Sequence, residues 1–269
     1  MKFVTVANKK DGYFNILEKQ IEDSGYKLNV LGQGEKWGGF MWRYLLISKF
    51  LENLLDDEIV VIIDGYDVLY VNNVGLEDKF KSLDANILFG VDIINSFFNK
   101  MLYKRAFPYV CVYDNKEINI NAGMYMGYCK YLKLFISLIC SDNDCSDKNI
   151  DDQRMLSLYC NNTFFNENVK FDMDSKIFLN LYRDNILSTK SSFKLTEGQV
   201  IINNNTPNFV HGPGNIDLNF ILNPEQSAIQ SVRKNYYSNL CVLYLKYFIP
   251  DLIIIMIVVI ICIVIIKIK

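Results

Sequence analysis

"VVIIDGYDVLY", residues Val60 to Tyr70, decides the fold. Its first four residues are β-branched and apolar, as in a strand buried on both faces, and such strands belong to parallel sheets covered by helices. The run then ends on two acids, Asp64 and Asp67, with Gly65 and Tyr66 between them. A buried carboxylate is costly unless hydrogen-bond donors or a cation meet it. The end of this strand therefore needs a partner.

Working outward, strand and helix patterns alternate. Lys2 to Asn8 reads as a strand, and Gly12 to Asp23 carries Phe14, Leu17 and Ile21 at helical spacing. A strand over Lys27 to Leu31 and an amphipathic helix over Phe40 to Leu55 follow. Then come a strand over Glu58 to Ile63, a short helix near Leu76 to Leu83 and a strand over Asn86 to Val91. This order predicts an α/β fold around a parallel sheet. Ligands of such folds gather at the carboxyl ends of the strands, where Asp64 and Asp67 stand.

Two carboxylates on one turn, made permissive by Gly65, can face a common space. Like charges that close repel unless a divalent cation neutralises them, and hard oxygen ligands suit magnesium or manganese beside a diphosphate. An exposed turn in which Asp caps backbone groups is the equally simple reading. The single histidine, His211 in "NFVHGPGN" (Asn208 to Asn215), ends another strand before Gly212, Pro213 and Gly214, where backbone N–H groups can approach an anion. It is either a structural residue or an imidazole ligand of the kind that suits manganese.

The balance of 28 basic and 30 acidic residues in 269 gives no electrostatic case for nucleic acid. Seven cysteines, scattered and without a CxxC pair, are expected to be reduced or core residues. No apolar leader precedes Lys2, so no N-terminal secretory signal is expected. Residues 247–269 are almost uncharged. A helix opened by Pro250 would reach about 30 Å over about 20 residues, which predicts a C-terminal transmembrane anchor. The expected organisation is a domain over 1–223, a polar linker over 224–246 and that anchor. The chain is then a single-pass membrane protein with its domain on the cytosolic side.

The ordered blocks "TVANKKDGYFNIL", "LGQGEKWGGF", "VIIDGYDVLY", "INAGMYMGY", "DDQRMLSLY", "FDMDSKIFLNL" and "NFVHGPGNIDLNF" resemble the glycosyltransferase domain of the collagen lysyl hydroxylase and procollagen glycosyltransferase family. The resemblance implies a GT-A type fold with a mixed, mostly parallel sheet. It also implies hexose transfer from a UDP-sugar, UDP-glucose or UDP-galactose, to a hydroxyl acceptor with Mn2+. By position it gives Asp64, Asp67 and His211 as metal ligands, and Tyr66 and Trp37 as aromatics near the uridine. For Trp37, core packing is the competing reading. Val6, Ala7 and Asn8 fall where the nucleoside is cradled, and Gly214 to Asp217, Asn215 among them, where the diphosphate lies. Asn121, Asp151, Asp152 and Gln153 face the sugar and the acceptor, although "NIDDQ" also reads as a helix cap. Two departures stand out. Asp217 replaces an expected lysine, and a shorter loop after Gly39 leaves Arg43 as the nearest substitute cation. The alternative reading is a membrane-anchored interaction or scaffold protein, viral ones included, that keeps the fold with a weakened donor site.

Overall fold

The computed structural model of the chain describes residues 1–92, 97–106, 111–181, 193–196, 199–213, 216–223 and 236–268. The first half runs β1 (Lys2–Val6), α1 (Phe14–Asp23), β2 (Leu28–Leu31), α2 (Trp42–Leu51), β3 (Ile59–Ile63), β4 (Val68–Tyr70), α3 (Leu76–Ser82) and β5 (Ile87–Asp92). Next come α4 (Phe97–Ala106), β6 (Cys111–Tyr113), β7 (Lys116–Tyr128), α5 (Cys129–Asp142), α6 (Asp152–Leu158), a 3-10 turn over Tyr159–Asn161 and α7 (Thr163–Asn168). The described remainder comprises β8 (Val169–Phe171), β9 (Phe178–Asn180), β10 (Lys194–Thr196), β11 (Gln199–Ile201), β12 (Phe209–His211), α8 (Asn219–Leu222) and α9 (Tyr236–Ile268).

The main sheet has the order β2-β1-β3-β7-β5-β8, with β6 hairpinned onto β7. The pairs β1–β2, β1–β3 and β5–β8 are parallel, whereas β7 runs antiparallel to both β3 and β5. The predicted parallel sheet is thus mixed, since β7 follows a hairpin rather than a crossover helix and must return against its neighbours. Alternation along the strands divides the core. Val4, Val60 and Ile62 join Tyr44, Leu132 and Phe135 on one face, while Phe3, Val61 and Ile63 join Leu17, Ile21 and Phe80 on the other. All five residues of β3 are buried, as a strand covered on both faces requires.

A second, three-stranded sheet, β4-β12-β9, positions the site. The turn after β3 leads directly into β4, and the register sets His211 opposite Val68 and beside Asn180. Pairing of the short strands therefore brings the distant histidine next to Asp67. Gly65 serves this turn by close approach rather than by an unusual φ: a Cβ there would lie 2.9 Å from Thr5 Oγ1.

Two expectations need correction. Four cysteines are paired, Cys111–Cys160 joining β6 to the 3-10 turn and Cys140–Cys145 closing the end of α5. Spacing could not reveal the first pair, whose members are 49 residues apart and meet only through tertiary packing. At the C-terminus α9 begins at Tyr236, inside the expected linker, and Pro250 lies within the helix rather than at its start. Residues 224–235 fall outside the described ones. Among the described residues no helix is long and apolar enough to cross a membrane, so the expected span over 247–269 is not borne out. The described part of α9 nonetheless leaves Leu252, Ile254, Met256 and Ile260 exposed.

Candidate functional site

Asp64, Asp67 and His211 converge: one ligand atom from each lies within 4.8 Å of the others. Asp64 follows the last residue of β3 and Asp67 precedes the first of β4, so the turn carries both acids to one side of the sheet edge. The Gly212 N–H donates to the Asp67 carbonyl at 2.8 Å, and the Asp64 N–H donates to the Gly123 carbonyl at 2.8 Å. Gly123 leaves the space clear, since a Cβ there would lie 2.7 Å from His211 Cε1 and 2.8 Å from Asp64 Oδ2.

The imidazole is held in a ligating tautomer. Asn180 donates through Nδ2 to the Val91 carbonyl at 3.0 Å, which turns its Oδ1 toward His211 Nδ1 at 2.8 Å. The Nδ1–H therefore donates and Nε2 keeps its lone pair in the neutral ring. Nε2 is buried without a hydrogen-bond partner, and Asp67 Oδ2 stands 3.3 Å away, at ion-pair range without hydrogen-bond alignment. An orphaned buried nitrogen beside two carboxylates is the donor set of a dication. The residues fit a metal.

Electrostatics point the same way. Burial pushes the Asp64 carboxyl up to about 6, with Arg43 opposing and Asp67 reinforcing the shift. Burial of His211 disfavours the imidazolium, but the charges of Asp67 and Asp64 outweigh it and raise the pKa above the usual histidine range. An acid and an imidazole that hold protons this readily are short of positive charge.

Behind the metal-ligand edge lies a second cluster. Arg43, in the first turn of α2, ion-pairs with Asp64 through one guanidinium nitrogen and with Asp152 through the other. It is thus engaged by acids rather than standing ready for a phosphate. Asp92, which ends β5, accepts from Asn121 Nδ2 at 2.9 Å and from Gln153 Nε2 at 3.0 Å, while Asn121 Oδ1 accepts from the Gly123 N–H at 2.9 Å. The structure therefore brings together Asn121, Asp152 and Gln153. Asp151 stands apart: exposed, it caps α6 by accepting from the Arg154 N–H at 2.9 Å. Asp92 and Asn180 were missed from sequence. Each ends a strand as Asp64 nearly does, and that position was the available signal.

At the nucleoside end, Val6 and Ala7 are buried, and the Ala7 N–H donates to the Leu31 carbonyl at 3.0 Å. Asn8 and Tyr66 are tied together. The Tyr66 hydroxyl donates to Asn8 Oδ1 at 3.0 Å and accepts from the Asn8 N–H at 3.1 Å. Trp37 is half-buried, packing edge-on against Phe40 and Trp42. Gly214 and Asn215 lie outside the described residues. Asp217 does not stand alone as an acid. Tyr13 donates its hydroxyl to Asp217 Oδ1 at 2.5 Å and accepts the Leu218 N–H at 2.8 Å, while the same carboxylate oxygen accepts the Asn219 N–H. The Asp217 carboxylate is thus engaged in a local tie.

A mixed α/β sheet carries at its edge an Asp-Asp-His group that could hold a dication. The chain belongs to the PLOD GT domain family, which matches residues 1–232. It is 25% identical over 243 residues to procollagen-lysine,2-oxoglutarate 5-dioxygenase 1 of Gallus gallus, covering 82% of this chain and 31% of that protein. It is 28% identical over 240 residues to the multifunctional procollagen lysine hydroxylase and glycosyltransferase of Caenorhabditis elegans, again covering 82% of this chain and 31% of that protein. The chain thus spans about a third of the length of these relatives. Among solved structures it is similar to a glycosyltransferase involved in glycosylation of the PBCV-1 major capsid. That likeness has TM-score 0.46 and 11% identity, covering 80% of this chain and 94% of that one. It is also similar to the galactosyltransferase LgtC with donor and acceptor sugar analogs, at TM-score 0.46 and 15% identity over 80% and 87%. The family membership makes this a glycosyltransferase domain, as the resemblance implied.

Proposed function

We propose that the protein transfers a hexose, glucose or galactose, from a UDP-sugar to a hydroxyl acceptor with Mn2+ at the Asp64–Asp67–His211 centre. One observation carries this reading: the buried Nε2 of His211, which makes no hydrogen bond, facing the Asp67 and Asp64 carboxylates. A bound dication would neutralise diphosphate charge as the UDP oxygen leaves. The protein's own residues do the rest. Tyr66 offers its ring as a platform for the base, a contact worth about 1–3 kcal/mol. Asn8 holds that ring through its hydroxyl, and Asp152, Gln153 and Asn121 line the side on which the sugar and the acceptor hydroxyl would meet. The hydroxyl gives up its proton as the glycosidic bond forms, and Asp152 is the nearest candidate to accept it. Arg43, its present partner, would have to loosen for that step. The alternative, a scaffold role without donor binding, gains nothing from Asp217 by itself, because that carboxylate is engaged by Tyr13.

The reading is tested by incubating the purified full chain with UDP-glucose and UDP-galactose in the presence of Mn2+ or EDTA and following UDP release and sugar transfer. Metal-dependent turnover is expected with one of the two donors. No turnover, together with no calorimetric UDP binding at millimolar Mn2+, would overturn it.

The compartment of the domain is also a proposal. Two disulfides persist in oxidising compartments, which favours a lumenal domain over the cytosolic one expected from sequence. Asn161 and Asn204, each heading an N-x-T triplet, are exposed and would then carry glycans. A mobility shift on glycosidase digestion of the cell-expressed chain supports the lumenal side; its absence, with free thiols at the paired cysteines, contradicts it.

A further inference from the structure

Arg43 is in an unusual place for a cation. It sits in the first turn of α2, where the helix dipole disfavours positive charge, and its side chain is only 12% exposed. The space around it is walled by Val6, Tyr44, Ile47, Ile62 and Tyr125, which leaves little room for solvent to screen the charge. A guanidinium is stable there only because carboxylates hold it from two sides, and these come from different parts of the fold. Asp64 belongs to the sheet edge and Asp152 to the start of α6. The planar fork spans both, one nitrogen to each.

The division of Asp64's oxygens gives this bridge its meaning. Oδ1 is taken by Arg43, while Oδ2 lies on the side of Gly123 and His211, where the orphaned Nε2 is found. Arg43 therefore does not fill the cation centre. It fixes the rotation of the Asp64 carboxylate so that the second oxygen is presented to that centre. With its other end it fixes Asp152.

We infer that Arg43 is a positioning residue that locks the metal-ligating Asp64 and the acceptor-side Asp152 into one unit through a single guanidinium. This rests on the proposed reading of Asp64, Asp67 and His211 as a cation centre and deepens it. Removing an outer contact of a metal ligand lowers metal affinity by roughly 10–100-fold. A lysine keeps the charge but has one ammonium where two carboxylates need a fork.

The test is Mn2+ binding to the folded full chain, followed by the loss of the free-ion electron paramagnetic resonance signal without nucleotide, in Arg43→Gln, Arg43→Lys and the parent. Folding of each variant is checked by circular dichroism. Affinity should fall at least tenfold in Arg43→Gln and recover only in part in Arg43→Lys. An Arg43→Gln protein that binds Mn2+ as tightly as the parent, or more tightly, overturns the inference. A parent that binds no Mn2+ defeats the proposed function instead, and the lock is then judged in metal-free protein by denaturing Arg43→Met, Asp152→Asn and the double variant. There the double variant should be far more stable than the two single losses combined would allow. Strict additivity would overturn the lock.

Discussion

Asp172 is buried and Asp64 partly buried in the same domain, and they end up in opposite situations. Asp172 sits in the turn after β8 and accepts three backbone N–H groups, from Lys176 at 2.9 Å, Ile177 at 2.7 Å and Phe178 at 2.8 Å. Burial raises its pKa, and those three donors work against the rise. Asp64 has one guanidinium on one oxygen, a second acid nearby and a buried imidazole with an unused nitrogen. The first carboxylate is saturated by its own chain and holds a turn together. The second is organised but undercompensated, and that shortfall is what a dication would meet. Burial alone does not separate a structural acid from a functional one; the supply of donors does.

The contrast breaks most sharply under truncation. Asp67→Ala should cut sugar transfer at least about a thousandfold, the rate equivalent of about 4 kcal/mol, with the fold retained in circular dichroism. Asp172→Ala should do the reverse. Stranding three buried N–H groups should cost about 3 kcal/mol in urea denaturation, while the Mn2+ dissociation constant stays within about twofold of the parent's. If the two variants behaved alike in both measurements, the distinction would be lost.

Smaller changes sharpen it. Gly123→Ala places a methyl against His211 and Asp64 and should weaken Mn2+ binding about thirtyfold, roughly 2 kcal/mol, in a calorimetric titration. The pH response is gentler. Because the Asp64 pKa is raised to about 6, its proton is retained below that pH and competes with the metal; above it the carboxylate is free. The elevated His211 pKa acts in the same direction, since a protonated Nε2 cannot ligate. Mn2+ affinity should therefore fall about tenfold between pH 7 and pH 5, about 1.4 kcal/mol, when paramagnetic binding curves are compared. A flat profile over that range would show that neither group ligates.

Much of this was legible in the sequence because the signals were local. The run Val60 to Ile63 announces a strand buried on both faces, and β1, β2, β3 and β5 lie within a residue or two of their expected bounds. Asp64 and Asp67 stood out because a strand that apolar seldom ends on two acids. The long-range features were hidden. The antiparallel insertion of β7 depends on a hairpin with β6, and the approach of His211 to Asp67 depends on pairing between β4 and β12. Asp92 and Asn180 escaped notice because single polar residues at strand ends are ordinary until neighbours reveal their partners. Asp151 and Asp152 show the limit of spacing. Adjacent in sequence, they point to different tasks, one capping α6 and the other holding Arg43.

The central claim is that two acids at the sheet edge and a distant imidazole share one dication. The most direct measurement is anomalous X-ray scattering at the manganese edge from crystals of the protein grown with Mn2+ and UDP. A single strong peak bounded by Asp64, Asp67 and Nε2 of His211 is the expected result. A peak elsewhere, or an Nε2 that stays unligated while UDP is bound, would contradict it.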